Sequence, residues 1–348
     1  MKSVYDEITI AGLKIRNRIA AASVGRNLAD INGHILEELY TIYRELAEGK
    51  VGLIITEMTM VSDKDYAIPG FTRLQDDAVI PEYKKLPDIV HKSGSLIVAQ
   101  LAFGGFFRDG MQISPDELTV EEIQEICQSF ISAAVRAQKA GFDGIELHCA
   151  HGFLLNRIMS PSFNHRSDEY GGSMENRCRI VMEIIKGIRE QCEDFPILAK
   201  INCNDGRPDG ILEEESIAIC RLLEKNEIDA IEVSAMDASK ARIKPGGSEG
   251  YFAYFGKELK KQISIPVILT GGHRSREHME QLLNEDVCDM FSMARPLIRE
   301  PGLIARWQSG DLKPSDCVSC NQCYKMKGHR CIRGTLNRDG TITKNERE

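Results

Sequence analysis

No apolar run in this sequence approaches the ~20 residues that cross a bilayer, so no membrane partner is expected. Residues 1–12 carry acids and lack the apolar core of a secretory leader, which makes the cytoplasm the expected location. An excess of positive charge is missing too. With 44 Lys and Arg against 52 Asp and Glu, the formal net charge is −8, which argues against nucleic acid as a partner. No G-x-G-x-x-G turn follows the first strand-like run, so the main sign of a doubly wound dinucleotide-binding sheet is lacking. There is no internal repeat, and the one low-complexity stretch is the polar tail after Arg333. What remains is the balance of a globular domain, 42% hydrophobic and 28% charged.

Eight apolar, strand-like runs are present, at 19–23, 52–57, 96–101, 144–148, 197–201, 230–234, 266–270 and 290–293. Most are continuously apolar, as parallel strands covered on both faces are. Helical patterns separate them, at 36–48, 77–91, 120–140, 175–191, 213–225, 252–262, 277–284 and 301–308. In the longest, Ile123, Ile126, Phe130, Ala133, Ala134 and Ala137 share a face, and Gly141 supplies the stop. This alternation predicts a single α/β domain, a (β/α)8 TIM barrel over 1–310. Residues 7–16 read as an N-terminal hairpin turning at Ala11 and Gly12 and plugging the barrel floor. Residues 311–348 read as a cysteine-rich C-terminal extension with a polar tail. Long connections at 103–118, 151–174 and 235–250 fall after strands, on the face where such barrels keep their chemistry.

Barrels often hold a phosphate with the loops after the seventh and eighth strands. Here Gly271 and Gly272 allow close approach of backbone N–H groups, and Arg295 adds a charged fork. The plainer reading is a turn and a surface charge. Glu57, Gln100, His148, His151 and Lys200 all fall at or near strand ends facing one mouth. Gln100 can donate and accept at once, which suits the amide-like edge of a heterocycle. Lys200 would stabilise negative charge at the barrel axis. His148 and His151 would clamp a carbonyl oxygen as a two-donor site. Zinc is the other use of two histidines, but the sequence places no third ligand beside them.

The stretch H-C-A-H-G-F-L-L-N-R-I-M-S-P-S-F-N-H-R-S-D-E-Y-G-G-S-M-E-N-R, residues 148–177, resembles the signature of the old yellow enzyme family of FMN-dependent NADH:flavin oxidoreductases. Arg16-Asn17-Arg18-Ile19, the run at 52–57, Ala99-Gln100-Leu101 and Ala294-Arg295-Pro296-Leu297 support the likeness, which extends over about 4–331. The resemblance implies FMN on the barrel mouth. Ser23, Val24, Gly25 and Met58 match flavin contacts, and Gln100 matches the glutamine at the pyrimidine edge. Lys200 matches the basic side chain beside the flavin's anionic end. Gly271, Gly272, Ala294 and Arg295 match the phosphate cradle. His148 and His151 match the pair that holds the oxygen of an unsaturated carbonyl substrate.

Three departures accompany the resemblance. Phe153 stands where the family usually has the tyrosine that protonates the substrate α-carbon. Tyr66, Tyr251, Tyr254 or water are the candidate replacements, with Phe153, Tyr66 and Tyr251 expected in the substrate pocket. Gly25 replaces a Thr or Cys that tunes the flavin and is expected to leave space. Phe103 replaces a common histidine and is expected to make the pocket more apolar.

Of the 11 cysteines, Cys127, Cys149, Cys178, Cys192, Cys203, Cys220 and Cys288 read as small buried hydrophobes. Cys317, Cys320, Cys323 and Cys331 have metal-ligand spacing. They resemble the iron–sulfur segment of larger relatives such as 2,4-dienoyl-CoA reductase and trimethylamine dehydrogenase, with shorter intervals. A [4Fe-4S] cluster, zinc and a metal-free remnant all stay open. The expected activity is that of an ene-reductase, with NAD(P)H reducing FMN and a small unsaturated carbonyl compound as substrate. A dehydrogenase of the amine-oxidising type and a non-catalytic flavoprotein electron carrier are the alternatives. The sequence is compatible with a homo-oligomer.

Overall fold

The computed structural model describes residues 1–65, 70–108, 111–238, 248–337 and 341–345. Eight parallel strands close into a barrel: β1 (Ile19–Ala21), β2 (Leu53–Ile55), β3 (Leu96–Ala102), β4 (Gly144–Cys149), β5 (Ile197–Asn202), β6 (Ala230–Ser234), β7 (Val267–Leu269) and β8 (Met290–Met293). Neighbours in sequence pair around the ring, β8 pairs with β1, and β2 pairs with β3 to complete the closure. Closure leaves no open edge.

Helices cover the outside: α1 (Glu37–Glu48), α2 (Ile80–His91), α3 (Val120–Lys139), α4 (Arg179–Gln191), α5 (Glu213–Lys225), α6 (Ala253–Lys260), α7 (Arg276–Asn284) and α8 (Leu303–Gln308). The longest shows how sequence sets its limits. Thr119 Oγ1 accepts from the Glu122 N–H at 3.2 Å, and Glu122 Oε2 accepts from the Thr119 N–H at 2.8 Å, a reciprocal N-terminal cap. Gly141, at φ 89°, ends it in the left-handed conformation that glycine adopts without strain. The helical pattern at 175–191 is not one helix. It breaks at Cys178 into Met174–Arg177 and α4, and the Arg177 side chain beside the break donates to the Met159 carbonyl at 2.7 Å.

Side chains alternate across each strand, and this alternation builds the barrel interior in layers. At the floor, Ala20, Leu53, Val98, Leu198, Ala230, Ile268 and Met290 form one apolar cluster with Ile10 and Ile15. Those two isoleucines belong to the N-terminal hairpin, Ile8–Ile10 paired with Leu13–Ile15, whose turn has positive φ at Ala11 and Gly12. The hairpin therefore plugs the bottom. Two residues further along the strands, the inward positions become polar: Gln100, Glu146, Lys200, Glu232 and Ser292, all buried. One step higher stand His148, Asn202 and Ser234.

The extension packs onto the barrel through buried arginines. Arg274 donates to the Cys317 carbonyl at 3.2 Å and to Ser319 Oγ at 2.6 Å. Arg299 donates to Asp316 at 2.8 Å and to the Gly334 carbonyl at 2.7 Å. Arg26 reaches the Gly328 carbonyl at 3.3 Å. Among the described residues, no helix is long and apolar enough to cross a membrane.

Candidate active site

A cavity of about 450 Å³ lies at the carboxyl ends of the strands, and all eight strands or the loops after them contribute to its lining. Ser23, Val24 and Gly25 come from the first loop, and Met58 from the second. Gln100, His148, His151, Phe153 and Lys200 follow in strand order, and Gly271, Gly272, Ala294 and Arg295 close the circle. Apart from Phe103 and Tyr254, the described residues that the sequence assigns to flavin, substrate or phosphate thus meet in one place. Tyr66 lies outside the described residues.

The two histidines owe their geometry to an abrupt turn. His151 has φ 60° and Gly152 φ 76°, so the chain bends back just past β4. A left-handed non-glycine residue costs about 1–3 kcal/mol. A buried amide network offsets that cost. The His151 N–H donates to Asn202 Oδ1 at 3.2 Å, and the Gly152 N–H donates to Asn156 Oδ1 at 2.9 Å. Both asparagines donate to Asp205, at 3.0 and 3.2 Å. The sequence reading missed Asn156, Asn202 and Asp205, since single amides near strand ends carry no distinctive spacing.

The imidazoles meet edge to face at 5.0 Å, and the Phe153 ring lies 4.5 Å from that of His148. His151 Nε2 contacts Ser234 Oγ at 2.8 Å. His148 is 1% exposed, and neither of its ring nitrogens has a hydrogen-bond partner among the described residues. Burial, then His151 and Lys200, holds His148 well below the usual histidine range. Burial, then Lys200, brings His151 down to about 3. Both rings are therefore neutral at physiological pH, each with one N–H to donate.

Gln100 sits at the centre of a chain of hydrogen bonds. Its Oε1 accepts from Ser23 Oγ at 2.8 Å, and its Nε2 donates to Glu146 Oε1 at 2.6 Å. Lys200 Nζ is 2.9 Å from Glu232 Oε1. At the far end, Gly271 and Gly272 have φ of 127° and 79°, conformations that side chains other than glycine's rarely allow. Arg295 donates to Asn321 Oδ1 at 2.8 Å, and Arg274 lines the same end. A guanidinium beside glycine backbone in such conformations has the chemistry to receive an anion, whereas the Arg274 guanidinium is already engaged by the Cys317 and His273 carbonyls and Ser319. Tyr251 belongs to this end as well. Its hydroxyl donates to the Ala238 carbonyl at 2.8 Å, and burial raises it while Arg295 and Arg274 pull it down.

Four expectations need correction. Glu57 does not face the cavity. Strand pairing in β2 stops at Ile55, and Glu57 instead accepts from the Arg26 N–H at 2.6 Å while its own N–H donates to Tyr43 Oη at 2.7 Å. Phe103 is 1% exposed and stacks on Phe106 in the outer core, so it does not make the pocket more apolar. Gly25 does not leave space, because a Cβ there would come within 2.8 Å of the Phe71 ring and 3.2 Å of Met58. Tyr254 is half exposed and donates to Glu213 at 2.8 Å, away from the cavity.

Burial raises Glu57 from its ordinary 4.5 to about 7. Because the folded value lies above the unfolded one, its contribution to stability is complete below about pH 4.5 and is lost as pH rises through 7. Glu57→Gln should therefore gain thermal stability relative to the parent between pH 5 and pH 8. A difference that does not change with pH would mean that Glu57 ionises normally.

Cys323, Tyr324 and His329 of the extension form part of the cavity wall. Cys323 is raised by burial and then by Cys317, Cys331 and Cys320, so the other three thiols stand within electrostatic reach of it. All 11 cysteines are free, and the seven outside this group are buried. Among the described residues, no three histidine, cysteine or acidic side chains are arranged to hold a metal ion.

Residues 3–109 and 106–313 match the NADH:flavin oxidoreductase / NADH oxidase family. The chain is 35% identical over 346 residues to an NADH oxidase of Thermoanaerobacter brockii, covering 92% of this chain and 53% of that protein. It is 32% identical over 315 residues to an NADPH dehydrogenase of Geobacillus sp. (strain WCH70), covering 86% of this chain and 91% of that protein. The solved complex of 2-naphthoyl-CoA reductase with 2-naphthoyl-CoA superposes with a TM-score of 0.86 at 25% identity, over 96% of this chain and 56% of that one. The chain thus spans about half the length of the NADH oxidase and of the reductase, and most of the NADPH dehydrogenase.

Proposed function

Since the chain belongs to the NADH:flavin oxidoreductase / NADH oxidase family, we propose that it is an FMN-dependent ene-reductase, drawing electrons from NAD(P)H to reduce the C=C bond of a small α,β-unsaturated carbonyl compound. The observation that carries this reading is His148, a buried neutral imidazole beside His151 in the cavity, without a hydrogen-bond partner among the described residues. A buried polar group left unpaired costs about 1–3 kcal/mol, and a carbonyl oxygen lodged between the two rings would accept a hydrogen bond from each. FMN fits the remaining lining. Gly271, Gly272, Ala294 and Arg295 would hold its phosphate, Gln100 and Ser23 its pyrimidine edge, and Met58 its ring. When bound, the cofactor supplies hydride transfer.

The chain's own residues do the rest. The histidine pair orients the substrate and withdraws electron density from its β-carbon through the carbonyl. Lys200 places positive charge at the cavity floor. Phe153 offers no proton, so the α-carbon takes its proton from water or from a hydroxyl elsewhere on the wall.

The cysteine segment supports a [4Fe-4S] cluster more than zinc. Zinc needs its thiolates about 2.3 Å from a single point, and no three metal-binding side chains are so arranged among the described residues. A [4Fe-4S] cluster is held by four Cys thiolates, and the segment supplies four, with Cys323 on the cavity wall and the other three acting on it electrostatically. The same placement gives the amine-oxidising alternative its support, since electrons leaving the cavity would meet Cys323 first.

Anaerobic purification followed by an absorption spectrum and by iron and sulfide assays tests cofactor content. Bleaching of the flavin by NAD(P)H and recovery of its colour on adding 2-cyclohexenone is the expected result. Bleaching by an amine but not by NAD(P)H would favour the dehydrogenase. A flavin that turns over with neither would leave an electron carrier.

A further inference from the structure

Two carboxyl groups in the barrel take no direct part in the cavity. Glu146 and Glu232 are fully buried one layer below His148 and Ser234, and neither lines the cavity. Lys200 pairs in register with His148 on one side and Glu232 on the other. Two carboxyls therefore face one ammonium in a dry interior. An uncompensated buried charge is too costly to persist, so one of the two carries a proton.

The contacts show which one. Lys200 Nζ lies 2.9 Å from Glu232 Oε1. Glu146 receives the Gln100 amide N–H on Oε1 at 2.6 Å, while no donor among the described residues reaches its Oε2. A bare carboxylate oxygen is unfavourable there, whereas an acid hydroxyl at Oε2 brings its own donor. Electrostatics agree in direction. Burial and then Glu232 push Glu146 well above the carboxylate range. Burial alone would raise Glu232 too, but the charge of Lys200 together with hydrogen bonding from Glu146, Ser292 and Lys200 draws Glu232 down.

We propose that these two glutamates divide the control of bound FMN. Glu146, as a neutral acid, fixes the orientation of the Gln100 amide, and Glu232, as a carboxylate, cancels the charge of Lys200. Both are positioning residues that act through a neighbour. With Nε2 held by Glu146 and Oε1 by Ser23, Gln100 presents one donor and one acceptor toward the cavity; with the acid proton on Oε2, a flipped amide would set its oxygen against Glu146 Oε1, which has no proton to give. The positive charge sensed at the cavity floor is that of Lys200 less what Glu232 removes.

The inference rests on the FMN reading above. Wild type, Glu146→Gln, Glu146→Leu, Glu232→Gln and Glu232→Asp, all loaded with FMN, are titrated spectroelectrochemically, and FMN dissociation is measured for each. In Glu232→Gln the reduced-to-oxidised ratio at a fixed applied potential should rise at least tenfold, about 30 mV for a two-electron couple, and Glu232→Asp should hold it within twofold. Glu146→Gln should leave both the ratio and FMN affinity within twofold, while Glu146→Leu should weaken FMN binding about tenfold. Equal shifts in the two Gln variants, or loss of FMN in Glu146→Gln as great as in Glu146→Leu, would overturn the division of roles. Wild type that binds no FMN would overturn the underlying reading and this inference with it.

Discussion

Replacing His148 and His151 together by alanine should weaken binding of a phenol such as 4-hydroxybenzaldehyde at least about 100-fold and leave FMN in place. A phenolate oxygen imitates the activated carbonyl oxygen of a substrate. Each imidazole N–H given to a charged oxygen contributes about 1.5–3 kcal/mol, so losing two costs about 3 kcal/mol at the least, or two decades of affinity. The flavin contacts assigned here lie elsewhere on the wall, on Ser23, Met58, Gln100 and the Gly271–Arg295 end. Titration of the long-wavelength absorption that phenols induce on flavin would measure the first quantity, and retained yellow colour the second. Loss of FMN from the double variant would show that the pair supports the cofactor instead of the substrate.

The second large effect is expected at Phe153. A positioned general acid contributes roughly 10²–10⁴-fold, and the phenyl ring on the wall beside His148 has no proton to give. Phe153→Tyr adds one oxygen at a partly exposed site, so the fold should tolerate it. Turnover with 2-cyclohexenone should rise about 10- to 100-fold, seen in kcat at saturating substrate. The alternatives named from sequence are poorly placed. Tyr251 has its hydroxyl on the Ala238 carbonyl at the phosphate end, and Tyr254 is outside the cavity. An unchanged rate would mean that water or another wall hydroxyl already delivers the proton at no loss.

Much of this was legible because a barrel strand writes its environment into sequence. Apolar runs, most of them continuous, marked all eight strands, and the segment after β4 carried enough specific residues to imply the histidine pair. Legibility ended where side-chain direction depends on what happens past the last paired residue. Glu57 stands two places beyond Ile55, an inward-facing residue, yet pairing has stopped and Arg26 claims the carboxylate. Gly25 and Phe71 are far apart in the chain, and nothing in the sequence says that one ring fills the space left by the other. The buried glutamates did leave a trace. Gly-Ile-Glu-Leu-His and Ala-Ile-Glu-Val-Ser each set a lone acid at an inward position of a continuous apolar run. Such an acid must be neutral or paired.

Cys323 belongs at once to the thiol quartet and to the wall of the cavity. The redox state of that sulfur and the wall of the pocket therefore share one residue. Oxidation of Cys323 is expected to reach the chamber beside it, so preparations made in air and under argon are expected to differ in ligand affinity, which a binding titration of both would measure.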